Sequence, residues 1–263
     1  MGLEVNDAAE AFHVSVANGA HPVLEPHVLV DRVTGATMTV SEIKMFGDSV
    51  IRFMSGDFTS PGLPNYEQVT TPDISFGIDR IDHAVSNVPK LFPAVDYLCG
   101  ALGFHEFGEF TSEDVGTLDS GLNSMVLANN NEFVLLPVNE PTFGTRRKSQ
   151  IQTYLEQNNG AGIQHIALKT DDIFLTIREM RKRTLCGGFD FMPTPAHSYY
   201  ENIFARTGEQ YSPEKLAELE ELGILVDKDD QGVLLQLFTT PVGDRTTVFI
   251  EIIQRYGYEN VTM

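Results

Sequence analysis

The chain says the same thing twice, and that repetition limits the folds open to it more than any other feature. Ile81-Asp82-His83-Ala84-Val85 and Ile163-Gln164-His165-Ile166-Ala167 are both short strand-like runs centred on a histidine. Each leads into a helical stretch and then a Gly-Phe pair. In the first copy the helix is expected over about 89–101, leading to Leu98-Cys99-Gly100-Ala101-Leu102-Gly103-Phe104. In the second, Asp171 and Asp172 supply a capping residue, Ile173, Phe174, Ile177 and Met180 form an apolar stripe at helical spacing, and Leu185-Cys186-Gly187-Gly188-Phe189 closes the segment. Strands are then expected from Leu122 to Ala128 and Glu132 to Val138 in the first copy. Their counterparts in the second run from Gly232 to Thr239 and Thr246 to Arg255. An order of strand, helix and strands, repeated, implies an α+β fold whose copies pair into one curved sheet with a central cavity.

The rest of the chain fits around these copies. Residues 7–19 read as a short helix, and Thr39 to Met54 as a hairpin turning at Gly47-Asp48. Residues 56–77 gather Pro61, Pro64 and Pro72 with little periodicity and read as a linker, so the expected domains are 1–55, 56–77 and 78–263, with modules at about 78–140 and 160–256. Between Ser198 and Gly223 the second copy carries an insertion. Its helix is expected to start with Ser212 as N-cap and Pro213 at the first helical position, and to stop at Gly223.

Composition narrows the function classes. With 18 basic against 37 acidic side chains the net charge is −19, which repels nucleic acid and anionic membranes, so neither is an expected partner. A small anionic substrate then needs local help, most simply a metal ion. Cys99 and Cys186 are too few for a disulfide framework and read as reduced thiols, and their matching positions favour a packing role. No targeting or spanning segment is evident, so the expected location is the cytoplasm. A homo-oligomer is left open.

The repeat brings His83 and His165 to equivalent positions facing a shared cavity. In the last strand Phe249, Glu251 and Ile253 share one face by alternation, while Ile250 and Ile252 share the other. A buried ionised Glu251 needs a partner, a proton or a cation, because leaving it unpaired costs several kcal/mol. Two imidazoles and a carboxylate leave up to three open positions on an octahedral ion, the arrangement of non-haem Fe(II) oxygenases. A hairpin turning at about Val242 to Asp244 puts Gln236 roughly opposite Glu251, with Phe238 on the same face. In the first copy Phe133, Leu135, Pro137 and Asn139 share a face, Leu135 standing where Glu251 stands in the second. His13, His21, His27, His105 and His197 read as solvent-facing or structural, and the basic run Arg146, Arg147, Lys148 as a solvated turn.

Several stretches resemble 4-hydroxyphenylpyruvate dioxygenases, closest to the plant and algal type. They are Ile-Asp-His-Ala-Val-Ser-Asn-Val-Pro at 81–89, Gly-Leu-Asn-Ser at 121–124, Lys-Ser-Gln-Ile-Gln-Thr-Tyr-Leu-Glu at 148–156, Gly-Gly-Phe-Asp-Phe-Met-Pro at 187–193 and Phe-Ile-Glu-Ile-Ile-Gln-Arg at 249–255. The resemblance implies the vicinal-oxygen-chelate fold, in which paired βαβββ modules form a curved, barrel-like sheet around a metal. It implies His83, His165 and Glu251 as ligands of Fe(II). Ser124, Asn139, Gln150, Gln164, Gln236, Phe238 and Phe249 then become substrate-binding positions, with Gln236, Phe238 and Phe249 closest to catalysis; strict alternation turns Gln164 away from His165. The implied reaction joins an α-keto acid and O2, hydroxylates the ring and gives homogentisate and CO2. Competing readings are a hydroxymandelate synthase, an extradiol ring-cleaving dioxygenase and a metal-binding non-enzyme of the same family. The family's pattern extends beyond both ends of this sequence, so metal binding with slow, uncoupled turnover is expected of it.

Overall fold

The computed structural model of the protein describes residues 1–56, 63–67, 69–70, 74–110, 121–144, 147–228 and 232–257. Part of the expected linker, Arg146 and the segment from Tyr258 onward lie outside the described residues. The chain divides into two compact units. The first holds residues 1–73, 86–132 and 137–162, and the second 74–85, 133–136 and 163–263.

In the first unit β1 (Gly2–Glu4), β2 (Pro22–Val30), β3 (Thr37–Lys44) and β4 (Val50–Gly56) form a sheet in the order β1-β4-β3-β2. Helix α1 (Ala8–Ala17) starts where Asp7 accepts hydrogen bonds from the amides of Ala9 and Glu10, at 2.8 and 3.0 Å. The hairpin turns where the sequence places it, but through five residues, 45–49, rather than two. Gly47 has φ +52°, and a Cβ there would meet the Ala161 carbonyl oxygen at 2.1 Å, so no other residue fits. The sequence reading missed β1 and β2. Pro26 masks the strand pattern in β2, and the register shifts against β3 on either side of Leu24 show how an edge strand takes it up.

The other strands are β5 (Ile78–Asn87), β6 (His105–Phe110), β7 (Leu122–Ala128), β8 (Leu135–Pro141), β9 (Gly162–Thr170), β10 (Leu225–Lys228), β11 (Val233–Phe238) and β12 (Phe249–Tyr256). They form an eight-stranded sheet in the order β10-β11-β12-β9-β5-β8-β7-β6. From the middle outward each copy therefore runs first, fourth, third, second strand. With α2 (Leu91–Leu102) after β5 and α4 (Ile173–Arg181) after β9, each copy is a βαβββ module, the repeat expected from the sequence. Helix α3 (Gln150–Gln157) joins the modules. The expected strand at 132–138 is shifted: Glu132 adopts φ +59°, a turn conformation, and β8 begins at Leu135, so Phe133 precedes the strand instead of sharing its face.

In the second unit, Asp172 caps α4 through the Leu175 amide, and Ile173, Phe174, Ile177 and Met180 are all buried as their spacing predicts. They pack with Leu235 and Leu237 of β11 and Ile252 of β12. The insertion folds as α5 (His197–Glu201), α6 (Ile203–Thr207) and α7 (Pro213–Leu222), the last capped by Ser212 and ended by Gly223 as expected. The matched cysteines do not share a packing role. Cys99 is partly buried, whereas Cys186 sits exposed in a 3-10 turn after α4 beside Leu185, which is 99% exposed. The equivalent Leu98 is wholly buried, because α2 continues through it and α4 stops earlier.

Candidate metal centre

Three strands of the second unit build the site. β12 runs parallel to β9 with Phe249 beside His165 and Glu251 beside Ala167. Alternation along β12 sends Ile252 into the apolar core and leaves Phe249, Glu251 and Ile253 on the opposite face. His83 comes from β5. The Glu251 Oε2 atom lies 3.0 Å from His165 Nε2 and 3.3 Å from His83 Nε2, and the three donor atoms all fall within 4.8 Å of one another. Ligands at adjacent octahedral positions with bonds of about 2.1 Å are separated by about 3 Å, so this spacing suits one shared divalent cation. Among the described residues these three form the one His, Cys, Asp and Glu cluster able to hold a metal ion.

Each imidazole is held from behind. His83 Nδ1 lies 2.8 Å from Asp82 Oδ1, and His165 Nδ1 lies 2.9 Å from Gln164 Oε1. Both acceptors are oxygen atoms, so Nδ1 carries the proton and the Nε2 lone pair is left for a cation. The sequence reading turned Gln164 away from His165 by strict alternation, and the structure corrects it. Nδ1 is the ring nitrogen nearer the backbone, within reach of the adjacent side chain. Asp82 and Arg255 were missed altogether. Arg255 donates from Nε to both Asp82 carboxylate oxygens at 3.2 and 3.0 Å, and from Nη2 at 2.7 Å. The two residues are 173 positions apart, so no local pattern could have paired them.

Electrostatics follow from this layout. Burial alone would raise Glu251, but hydrogen bonds from His165 and His83 and their charges outweigh it and hold the carboxyl at about 2. Burial alone would lower His83, but the Asp82 and Glu251 carboxylates outweigh it and raise the imidazole to about 9. For His165 burial prevails over Glu251 and the imidazole is lowered. The metal-free site is thus a charged His83–Glu251 pair with a neutral His165 beside it. A dication would take the place of the His83 proton.

Aromatic side chains wall the site. Phe249 stacks on His165 with centroids 4.8 Å apart, and Phe238 meets His165 edge-on at 6.0 Å and Phe249 at 5.8 Å. The β11 to β12 register puts Phe238 opposite Glu251 and Gln236 opposite Ile253. The expected pairing of Gln236 with Glu251 is therefore two residues out, with the face unchanged. Gln236 is bound to Asp227, its Nε2 donating to Oδ2 at 2.7 Å. Ser124 on β7, Asn139 on β8 and Gln150 at the start of α3 belong to the first unit, where Asn139 donates to Asn87 Oδ1 at 3.3 Å and Gln150 is exposed. Of the histidines read as structural, His105 and His197 are both exposed, and His197 pairs with Glu220 at 2.8 Å.

Residues 80–237 match the model of the glyoxalase/bleomycin resistance protein/dioxygenase superfamily. Two similar proteins are 4-hydroxyphenylpyruvate dioxygenases of Daucus carota, 58% identical over 262 residues, and Arabidopsis thaliana, 56% identical over 265. Each alignment takes in 98% of this chain, which spans about 58% of the length of these relatives. The protein of that name from Yarrowia lipolytica is 37% identical, with 98% of this chain and 67% of that protein covered. Among solved structures, a triple mutant of 4-hydroxymandelate synthase from Streptomyces coelicolor matches with a TM-score of 0.74 at 24% identity, over 98% of this chain and 71% of that one, which speaks to the fold. The chain belongs to the glyoxalase/bleomycin resistance protein/dioxygenase superfamily and, within it, to the 4-hydroxyphenylpyruvate dioxygenase family.

Proposed function

We propose that the chain is the metal-binding part of a dioxygenase that uses Fe(II) to convert 4-hydroxyphenylpyruvate and O2 to homogentisate and CO2. The observation that carries this reading is the convergence of a part-buried His83 Nε2 with the buried His165 Nε2 and Glu251 Oε2, in a chain 56–58% identical to plant proteins named for that activity. When bound, Fe(II) would supply the Lewis acidity and the electrons that α-keto acid chelation and O2 activation require.

The chain's own residues do the rest. Asp82 and Gln164 keep the ligating imidazoles in the tautomer that offers Nε2. Glu251 brings one negative charge, so a dication leaves the site a net positive charge that draws in an anionic keto acid despite the overall −19. Phe238 and Phe249 flank the substrate ring and keep water from it, and Gln236 meets its phenol end. Ser124, Asn139 and Gln150 complete the substrate contacts in this proposal, on the resemblance alone. The division into residues 1–55, 56–77 and 78–263 belongs to the same reading. Free thiols at Cys99 and Cys186 suit a reducing compartment, and we place the chain in the cytoplasm on that ground.

Oxygen uptake and homogentisate formation, measured together with Fe(II) and 4-hydroxyphenylpyruvate, test the proposal. Uptake that requires the keto acid and is accompanied by homogentisate supports it. Hydroxymandelate as the product, or uptake indifferent to the keto acid, overturns it.

A further inference from the structure

The insertion between Ser198 and Gly223 has no counterpart among the described residues of the first module, and one of its side chains reaches Asp227, the hydrogen-bond partner of Gln236. Arg206 on α6 donates from Nη2 to Asp227 Oδ1 at 2.9 Å, and its guanidinium lies over the Tyr199 ring, 4.5 Å from the centroid. Tyr199 is itself fixed to the backbone beside Asp227, since its hydroxyl accepts from Val226 N at 2.9 Å and donates to Val226 O at 3.2 Å. The second oxygen of Asp227 accepts from Gln236 Nε2 at 2.7 Å. Leu225 on β10 pairs with Gln236 on β11, so Asp227 is the diagonal neighbour of Gln236 across that pair.

The chemistry of a carboxylate decides which way the amide turns. An ionised carboxylate only accepts hydrogen bonds, so the NH2 end of Gln236 must face Asp227. Burial raises the Asp227 carboxyl and the charge of Glu251 adds to this, while Arg206 and the hydrogen bond from Gln236 act in favour of the ionised form. The carbonyl end, Gln236 Oε1, makes no hydrogen bond among the described residues. The register keeps Gln236 on the face that carries Phe238 and Glu251, away from the core that takes Leu235 and Leu237. A ligand group meeting this amide therefore meets an acceptor and must itself be a donor.

Building on the dioxygenase reading, we infer that Asp227, held by Arg206, is a positioning residue that fixes Gln236 with its oxygen presented, so that the site selects aromatic keto acids with a para hydroxyl. Without that anchor the amide can turn over and offer NH2 instead, and the preference for a hydroxyl donor disappears. A site built to bond a hydroxyl rejects the analogue lacking it, because its polar group is left unpaired.

The test compares 4-hydroxyphenylpyruvate with phenylpyruvate, which lacks the hydroxyl, by anaerobic calorimetric titration of the full chain loaded with Fe(II). The wild-type chain should prefer the hydroxylated ligand by about tenfold or more, the worth of one well-made hydrogen bond. Asp227→Ala should lose most of that preference while retaining its metal content and its affinity for phenylpyruvate. Asp227→Asn, which keeps the shape but can present either end of its own amide, should fall between them and carries the test if the alanine variant does not fold. In a Gln236→Leu background Asp227→Ala should add nothing. Nitrogen-15 spectra of the metal-free chain supply a reading apart from ligand binding: the Gln236 side-chain amide signals, assigned by their loss in Gln236→Leu, should shift in Asp227→Ala. Equal weakening of both ligands in Asp227→Ala, additive effects with Gln236→Leu, or unshifted amide signals would overturn the inference and leave the keto-acid site standing. Failure of the wild-type chain to bind either ligand would overturn the underlying reading as well.

Discussion

The two modules place a histidine at the same point of the same strand and then treat it differently. His83 leans on an aspartate that is itself gripped by Arg255, whereas His165 leans on the neutral Gln164. Geometrically the two devices are equivalent, since each takes the Nδ1 proton and frees Nε2. Electrostatically they are opposite, with His83 raised and His165 lowered in the metal-free protein. The repeat supplies two like positions; burial lowers both imidazoles, and at His83 the carboxylate of the preceding Asp82 helps Glu251 to reverse that. The helices that follow show the same divergence: Leu98 is wholly buried on α2, while its counterpart Leu185 lies beyond α4 in solvent.

The proposed equivalence of the two histidines as ligands can be broken by removing each in turn. His83→Ala and His165→Ala should each weaken Fe(II) binding by more than about 100-fold, beyond what loss of a supporting residue costs, measured by anaerobic titration. A chain that tolerates one loss and not the other would show that only one module contributes a ligand. For the helices, Leu98→Ala should cost about 2–5 kcal/mol in denaturant unfolding and Leu185→Ala no more than about 0.5 kcal/mol. Comparable costs would mean that Leu185 is packed after all.

The supporting residues sharpen the contrast. Asp82→Ala should lower Fe(II) affinity by about 10–100-fold. Gln164→Leu should lower it less, because a neutral amide adds less to ligand basicity than a carboxylate does. The reverse order would sink the electrostatic distinction.

A smaller effect lies in pH. A group raised on folding, such as His83, contributes stability that is complete below its unfolded value of 6.5 and disappears as pH climbs through about 9. His165 is lowered, so it costs stability as pH falls below 6.5. The metal-free chain should therefore melt at progressively lower temperature between about pH 6.5 and 9, a loss absent from the metal-loaded chain and from a metal-free His83→Gln variant. An unchanged slope in that variant would assign the pH dependence to other groups.

The features legible in the sequence were those with local or periodic causes. The caps at Asp7, Asp172 and Ser212 and the stripe Ile173, Phe174, Ile177, Met180 could be read because a helix start and a buried face leave fixed spacings. Glu251 stood out because a carboxylate inside an apolar strand is costly, and the repeated histidine supplied its partners. The hairpin before β12 shows how partial success arises. Its centre lies one residue later than expected, which moves the register by two, so Gln236 loses its place opposite Glu251 yet keeps its face. Arg255 on Asp82 and Arg206 on Asp227 were illegible, since each joins strands or helices whose approach only the tertiary fold decides.

Everything rests on His83, His165 and Glu251 acting as one metal centre, and X-ray absorption at the iron edge of the anaerobically loaded chain tests that most directly. The account predicts one Fe(II) per chain with two imidazoles among otherwise oxygen ligands, falling to one imidazole in either His83→Ala or His165→Ala, and no stoichiometric iron in Glu251→Ala. An iron site with fewer than two imidazoles in the wild-type chain, or one unchanged by Glu251→Ala, would contradict it.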